Sequence, residues 1–551
     1  MFYSRPLKTV LPWLAALASG ILIFLGYAGF DQFYLEWFCL IPIMWAIRDQ
    51  RPGRAFCIGW FAGIVMNIGG FYWAIQMFRQ FAGMSWLLAA GGLLLLAATN
   101  GFIVAVWACG TRLITRTTGW NVAWVSPVIW TALEKFWPEI FPYYLGASQY
   151  TLSLVTQVAD LTGILGITFI VVYINSSLFA AVEQWLDNRR IAVRQLVVLL
   201  AVMGSVLLYG QIRINAVDQQ VAVAEKVTVG LIQTNRGAGD KRQDPENLLR
   251  EHQEMSRDLA AHQPLDLIVW PEGVMRVGLA SRQGSLPPEA LGGTHIPTLF
   301  GAILHIGESS APRTHVSALL ADGSGHILGS YDKMVLVPLG EYIPFGETFP
   351  SLYAMAPFTG KFRPGESLEP FPFGKHLLSV NICYEDIFPG HVRSLMRGGI
   401  DRRIPDVMFN LTNDSWYGNS TEPIEHLALA SFRSIEHRRS LVRSTNTGIS
   451  AFVDPVGRIV SHSGIWTRET LVDRVPMLQG RTLYALWGDW IGWVCALFSL
   501  VGVGLAFFAS ARHGIPPPQL AEMDSTQRNK QSEPGKQPRR EKKQKQQRST
   551  P

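Results

Sequence analysis

Charge and cysteine are both scarce in this sequence. Only 16% of its 551 residues are charged against 48% hydrophobic, a balance too apolar for an ordinary soluble enzyme. Its five cysteines include no Cys-x-x-Cys pair, which argues against a thioredoxin-like redox motif or a zinc ribbon. The histidines show no metal-ligand spacing, and neither a Gly-rich phosphate loop nor a zincin motif occurs. These absences predict no metal and no organic cofactor. The net charge of +6 owes much to a basic C-terminal tail, so it is not read as nucleic-acid binding.

What is abundant is long apolar runs, and they are unevenly spread. A bilayer-spanning helix needs roughly 20 apolar residues. Seven candidates precede residue 213, at 9–30, 33–47, 56–78, 84–107, 120–136, 155–182 and 196–212, and an eighth covers 487–509. The second is short and carries Glu36, so a re-entrant or partly interfacial helix is its alternative. Basic residues set the orientation. Arg5, Lys8, Arg48, Arg51, Arg54, Arg112, Arg116, Arg189, Arg190 and Arg194 gather at one set of span ends, against Arg79, Lys135 and Arg213 at the other. The positive-inside rule then places the N-terminus in the cytoplasm. Seven spans are an odd number, so residues 215–486 are expected outside the cytoplasm, and the eighth span returns the chain inside. The first apolar block is long and lacks a cleavage site, so it is read as an anchor and not a cleaved signal peptide.

The domain reading follows: a seven-helix membrane domain over 1–214, an outer domain over 215–486, an eighth transmembrane helix over 487–511 and a tail over 512–551. In the outer region short apolar runs at 227–232, 265–270, 377–382 and 406–411 alternate with helix-compatible segments at 247–262 and 422–439. Strands interleaved with helices predict a layered α/β domain. The tail is rich in Pro, Gln and Lys and almost free of apolar residues, the composition of a disordered segment. Its cations either reinforce topology or touch anionic headgroups.

Four cysteines, Cys39, Cys57, Cys109 and Cys495, fall in or beside predicted spans, where a thiol is a small apolar residue. Cys383 alone lies outside them, directly after the strand-like run 377–382. By itself it reads better as an inert core thiol. Its company changes the reading. Glu272 follows the apolar strand of Asp266-Leu-Ile-Val-Trp-Pro-Glu272, and Lys333 is expected to precede another strand in Tyr331-Asp-Lys333-Met-Val-Leu-Val-Pro-Leu-Gly-Glu341. A free thiol with a pKa of about 8.5 needs a base or a nearby cation to act as a nucleophile at neutral pH. Glu272 can take that proton and return it to a leaving group, while Lys333 and the Tyr384 N–H can stabilise an oxyanion.

These residues, in the chain order Glu, Lys, Cys, resemble the nitrilase or carbon–nitrogen hydrolase superfamily. The spacings of 61 positions from Glu272 to Lys333 and 50 from Lys333 to Cys383 agree with it. Joined to the apolar spans, the chain resembles the superfamily's membrane branch, the apolipoprotein N-acyltransferases, over roughly residues 5–512. The blocks Leu336-Val-Pro-Leu-Gly-Glu341-Tyr-Ile-Pro-Phe, Asn410-Leu-Thr-Asn413-Asp-Ser-Trp416-Tyr-Gly418 and Arg443-Ser-Thr-Asn446-Thr-Gly448-Ile-Ser carry the same likeness. Two departures concern the pocket walls. The segment from Leu231 to Arg242 lacks the family's Lys-Trp pair, and Val335 stands where relatives often have His.

The resemblance implies an αββα nitrilase-like sandwich beside eight transmembrane helices, in a bacterial inner membrane with the catalytic domain periplasmic and both termini cytoplasmic. It implies Cys383 as nucleophile, Glu272 as proton acceptor and Lys333 as oxyanion stabiliser, with Glu341, Tyr384 and Glu385 in support. Glu341 and Glu385 are expected to hold the Lys333 ammonium, and Tyr384 to contact substrate. The implied partners are a phospholipid acyl donor, phosphatidylethanolamine foremost, and a diacylated apolipoprotein acceptor, served by a monomer. The segment Phe358-Thr-Gly-Lys-Phe-Arg-Pro-Gly365 has the Gly/Pro content of a gating loop or of a plain surface turn. Two other readings stay open: a membrane-anchored amidase or nitrilase-type hydrolase, and a lipid transporter or scaffold without chemistry.

Overall fold

A computed structural model of the protein describes residues 5–189, 191–237, 244–278, 284–306, 313–355, 359–398 and 403–512. The basic tail, Lys241 and Arg242, and Phe358 lie outside the described residues. Among the described residues five helices are long and apolar enough to cross a membrane: Thr9–Gly26, Trp86–Thr118, Ile164–Asp187, Val193–Val223 and Trp490–Ala509. Pro52–Gly70 and Ala74–Gln80 add a sixth if they form one span bent by 60°. Two expected spans fall short of the length test. Val122–Phe136 has 15 residues, and at 1.5 Å per residue reaches about 22 Å of a hydrocarbon core about 30 Å thick.

The other short element, Phe33–Ile47, is broken for a reason visible in its sequence. Glu36 cannot lie in an apolar helix without partners, and the chain makes a 3₁₀ turn, Phe33–Trp37, before the helix Ile41–Ile47. Asn175 spans the break: its Oδ1 accepts from the Leu40 N–H at 2.8 Å and its Nδ2 donates to the Glu36 carbonyl at 2.7 Å. Elsewhere the bundle relies on small residues. A Cβ on Gly63 would lie 2.5 Å from the Gly101 carbonyl oxygen, so these two backbones touch because neither residue has a side chain.

The remainder is two sheets packed face to face. The first contains β1 (Lys226–Gln233), β2 (Leu267–Val269), β3 (Met275–Gly278), β4 (Thr298–Ile306), β5 (Arg313–Ala321), β6 (Ile327–Asp332) and β13 (Glu469–Pro476). Their order is β13-β1-β2-β4-β5-β6, with β3 also on β4. The second contains β7 (Phe371–Phe373), β8 (His376–Ile382), β9 (Val407–Thr412), β10 (Leu441–Thr445), β11 (Ala451–Val453) and β12 (Ile459–His462), in the order β12-β11-β10-β9-β8-β7.

Side-chain alternation assigns each face. Leu267 and Val269 on β2 join Val407, Phe409 and Leu411 on β9 in the core between the sheets. Ile268 and Trp270 turn the other way, under the helix Pro245–His262 with Leu259. Met408 likewise faces Leu427 and Ala430 of the helix Glu422–His437. Each buried Leu, Ile, Val or Phe contributes roughly 1.5–3 kcal/mol, so a one-residue slip that exchanged the faces is strongly disfavoured. The result is a helix–sheet–sheet–helix sandwich.

The sandwich docks on the helical bundle through Glu422–His437, which is buried along its length. Beyond its C-terminus Arg438 donates to Asp160 Oδ2 at 2.7 Å and to Gln157 Oε1 at 2.6 Å, and Tyr209 and Arg213 close on the same Asp160 carboxylate. At the other end the Thr421 N–H donates to the Tyr72 hydroxyl at 3.2 Å, and Trp73 Nε1 to Glu425 at 3.3 Å.

Candidate active site

Glu272, Lys333 and Cys383 each sit just beyond the C-terminal end of a strand: β2, β6 and β8. The first two come from one sheet and the third from the other, so their convergence depends on how the sheets stack. All three line one cavity of about 370 Å³, with Glu341, Trp416, Tyr417 and Met77 in its wall. Met77 belongs to the helix Ala74–Ala82 of the apolar bundle, so the cavity reaches from the strand ends to the bundle.

Cys383 stands at a sharp corner. Its φ is +53°, a left-handed conformation that costs a residue with a Cβ roughly 1–2 kcal/mol. That turn ends β8 and begins the 3₁₀ helix Cys383–Ile387, whose first amides, that of Tyr384 among them, have no partner within the helix. The corner is held from below: Asn410 Nδ2 donates to the Cys383 carbonyl at 2.8 Å. The thiol is buried, and burial pushes its pKa up, with the Glu272 carboxylate adding and Lys333 opposing. It therefore rests protonated, and its attack requires a base in place.

Lys333 is 1% exposed. Its Nζ donates to Glu341 Oε1 at 2.6 Å and lies 3.7 Å from Glu272 Oε1. Burial works against the charge, but Glu341, Glu272 and Cys383 outweigh it and hold the ammonium well above the ordinary lysine range. The cation is thus fixed beside the thiol. Glu341 is itself anchored by the Val337 N–H, 2.8 Å from its Oε2. Glu272 is placed through its backbone: Asn446 Nδ2 donates to its carbonyl at 3.0 Å. Gly301 on β4 lets that backbone come close, since a Cβ there would lie 2.4 Å from the Pro271 carbonyl oxygen.

The structure corrects two expected contacts. The carboxylate of Glu385 goes not to the ammonium but to backbone. It accepts the N–H groups of Met334 at 2.6 Å, Val335 at 2.9 Å and Ile382 at 2.8 Å, and the Tyr331 hydroxyl at 2.8 Å. Physically these are stronger claims on a fully buried carboxylate than a lysine already bound by two others. Glu385 therefore ties the turn carrying Lys333 to the corner carrying Cys383. Tyr384 does not reach into the cavity either. Its hydroxyl donates to the Ile140 carbonyl at 2.5 Å and its ring meets Phe141 edge-on at 5.7 Å, which docks the corner on the bundle. The Thr359–Gly365 part of the candidate gating loop is bonded along the Glu341 turn, with the Gly360 N–H on Gly340 at 2.9 Å and the Gly365 N–H on Lys333 at 2.9 Å.

A buried network beneath the corner was not foreseen from the sequence. Arg443 donates to Asn410 Oδ1 at 2.9 Å, Asp386 at 3.0 Å and Asp414 at 3.0 Å. His426 lies between the same acids, Nε2 2.8 Å from Asp386 and Nδ1 3.2 Å from Asp414. Burial and Arg443 oppose the imidazolium, yet the two aspartates lift His426 to about 10. Asn410, Asp414 and Arg443 fall within the sequence blocks already noted, but the lone His426 on a helix gave no signal. Asp414, Glu422 and His426 present ligand atoms within 4.8 Å of one another, as a metal site would. Both ring nitrogens and both Asp414 oxygens are already engaged, and a metal ion would have to compete with the Arg443 guanidinium. The donor set suits the ion pairs better.

A family model described as the apolipoprotein N-acyltransferase N-terminal domain matches residues 19–177, and one described as carbon-nitrogen hydrolase matches residues 228–482. The chain is 28% identical over 516 residues to an apolipoprotein N-acyltransferase of Geobacter metallireducens, covering 91% of this chain and 96% of that one. It is also 28% identical over 523 residues to one of Bdellovibrio bacteriovorus, covering 89% and 93%. Among solved structures, Saccharomyces cerevisiae Nit3, a member of branch 10 of the nitrilase superfamily, aligns over 46% of this chain and 90% of its own at 17% identity, with a TM-score of 0.34.

Proposed function

Because the chain belongs to the apolipoprotein N-acyltransferase family, we propose that it moves the sn-1 acyl chain of a phospholipid, through a thioester on Cys383, to the α-amine of a diacylglyceryl-cysteine at the N-terminus of an apolipoprotein. The chain is an acyltransferase of lipoprotein maturation. One observation carries the mechanism: a buried thiol, a fixed ammonium and a carboxylate share one cavity with Met77 of the apolar bundle.

In the first step the Cys383 thiol gives its proton to Glu272 as Sγ bonds to the ester carbonyl carbon. The oxyanion is met by Lys333 and the Tyr384 N–H. The bond from the carbonyl carbon to the glycerol oxygen breaks, Glu272 returns the proton to that oxygen, and a lysophospholipid leaves. In the second step the α-amine attacks the thioester and loses a proton to Glu272, the carbon–sulfur bond breaks, and Glu272 returns that proton to Sγ, leaving an amide and the Cys383 thiol. A thioester retains enough free energy for this, provided water is kept away. Both substrates are anchored in lipid, so a site opening on the bundle spares their chains a passage through water.

The accompanying topology is part of the same proposal. Eight spans place the sandwich in the periplasm and both termini in the cytoplasm of a Gram-negative inner membrane, with the two short helices packed inside the bundle. The enzyme works as a monomer, and phosphatidylethanolamine is the favoured donor.

Intact-mass analysis of the purified protein with a phospholipid of defined sn-1 chain, beside a Cys383→Ala control, tests the mechanism. The expected result is one acyl group gained by the wild type alone, removed by neutral hydroxylamine and discharged by a diacylated lipopeptide but not by water. Rapid discharge by water would favour an amidase-type hydrolase, and an adduct surviving in Cys383→Ala would refute the assigned nucleophile.

A further inference from the structure

We infer that Arg276, with His305 and Thr314, forms a recognition site for the phosphodiester of the acyl donor at the outer end of the Cys383 cavity; this rests on the acyltransferase reading above. No catalytic role was expected of any of the three.

Their placement follows from strand register. β3 pairs with β4 so that Arg276 stands opposite Ile303 and Gly278 opposite His305. β4 pairs with β5 so that His305 stands opposite Thr314. Met275 and Val277, one step out of phase, turn to the other face and pack among the apolar residues there. Arg276, His305 and Thr314 are therefore neighbours on one face, and all three line the cavity that holds Cys383. His305 Nδ1 lies 3.3 Å from Thr314 Oγ1. Beside them Gly278 leaves open space, since a Cβ there would meet nothing within 4 Å.

Charge is unevenly divided along the cavity. At the buried end two carboxylates, Glu272 and Glu341, share the single Lys333 ammonium, a surplus of negative charge that repels a phosphate. At the other end Arg276 is exposed, and among the described residues it has no ion pair. A guanidinium, an imidazole and a hydroxyl on adjacent strands are the donor types that bind phosphate oxygens. A phospholipid has this polarity: a neutral sn-1 ester and, across a short glycerol, an anionic phosphodiester. With the ester at Cys383 the phosphate falls toward the cation. After the ester bond breaks, the phosphate belongs to the departing lysophospholipid, so Arg276 contacts the donor and its leaving group but not the lipopeptide acceptor.

The test compares two donors by the rate at which the Cys383 adduct forms: phosphatidylethanolamine in mixed micelles, and a p-nitrophenyl ester of the same fatty acid, which carries no phosphate. For Arg276→Ala the ratio of the phospholipid rate to the ester rate is expected to fall on the order of tenfold, the value of one charge-assisted hydrogen bond. The change should appear in KM and not in kcat, and Arg276→Lys should restore part of it. An unchanged ratio, or equal losses with both donors, would overturn the inference while leaving the acyltransferase reading intact. A wild-type protein that forms no adduct with either donor would overturn that reading and this inference with it.

Discussion

Replacing Glu385 by Gln alters one atom and one charge, at a carboxylate that bonds backbone and not the lysine it was expected to hold. The carboxylate accepts from three backbone amides and one hydroxyl. The less costly orientation of a Gln amide keeps its oxygen toward Met334 and Val335 and turns its NH₂ toward the Ile382 N–H, donor against donor. One buried N–H is then unpaired, at roughly 1–3 kcal/mol, and each remaining bond weakens by about 1 kcal/mol on losing its charge. The total is about 4 kcal/mol, applied to the joint between the Lys333 turn and the Cys383 corner. A displacement of about 1 Å in a catalytic constellation can cost on the order of a hundredfold in rate. We therefore expect Glu385→Gln to form the acyl-enzyme about a hundredfold more slowly, with a lowered thermal midpoint in detergent. The control is Arg438→Ala, a comparable destabilisation at the remote latch. Adduct formation by Glu385→Gln within about threefold of wild type, or a loss no larger than that of Arg438→Ala, would refute the reasoning.

Three further outcomes follow from the same geometry. Arg438→Ala leaves the buried Asp160 with Tyr209 and Arg213 only, so thermal unfolding in detergent should reveal a loss of about 3 kcal/mol. Gly301→Ala pushes a methyl against the Pro271–Glu272 backbone; the strain of about 1–3 kcal/mol should displace Glu272 and slow acylation more than its effect on the thermal midpoint explains. His426 is lifted from 6.5 to about 10, so its stabilisation is complete below 6.5 and is lost as pH rises through 10. The gap in melting temperature between wild type and His426→Gln should narrow between pH 6.5 and pH 10, and a constant gap would contradict the ion pairs assigned to His426.

How much of this was legible beforehand depends on whether the signal is local. Strands β1, β2, β8 and β9 were readable because buried runs of Val, Ile and Leu are bounded by polar turns. The helices Pro245–His262 and Glu422–His437 were readable as the polar, helix-compatible segments 247–262 and 422–439 between those runs. That Glu272 and Cys383 follow strands could also be read, but Lys333, expected before a strand, instead follows β6, and the apolar run after it forms bends and turns. Their partners could not, because hydrogen bonding to backbone leaves no pattern. Nothing in Cys383-Tyr384-Glu385 says that the glutamate prefers three amides to an ammonium, or that the tyrosine hydroxyl finds the Ile140 carbonyl, 244 positions away in sequence. The two short bundle helices lie nearly where expected, at 33–47 and 122–136, and what their apolar content could not tell is whether they cross the bilayer. An apolar run records what avoids water, whether it faces lipid or other helices, and the break beside Glu36 is closed by Asn175, far along the chain.

Those same partners bear on why such a site should transfer an acyl group and not hydrolyse it. Burial keeps the Cys383 thiol protonated, so no free thiolate waits for an electrophile. In the proposed mechanism attack begins only when a substrate occupies the cavity that Glu272 and Lys333 line. The corner bearing the thiol is fixed on three sides: by Asn410 and Arg443 beneath it, by Glu385 across to the Lys333 turn, and by Tyr384 to the bundle. With the backbone held in this way, the groups that must change during a cycle are the proton on Glu272 and the acyl chain itself. A site preorganised to this degree suits two successive attacks on carbonyls of similar shape, first an ester and then a thioester. What selects the second nucleophile is then access. A cavity walled by Met77, Trp416 and Tyr417 favours an amine carried on a lipid-anchored cysteine over water from the bulk.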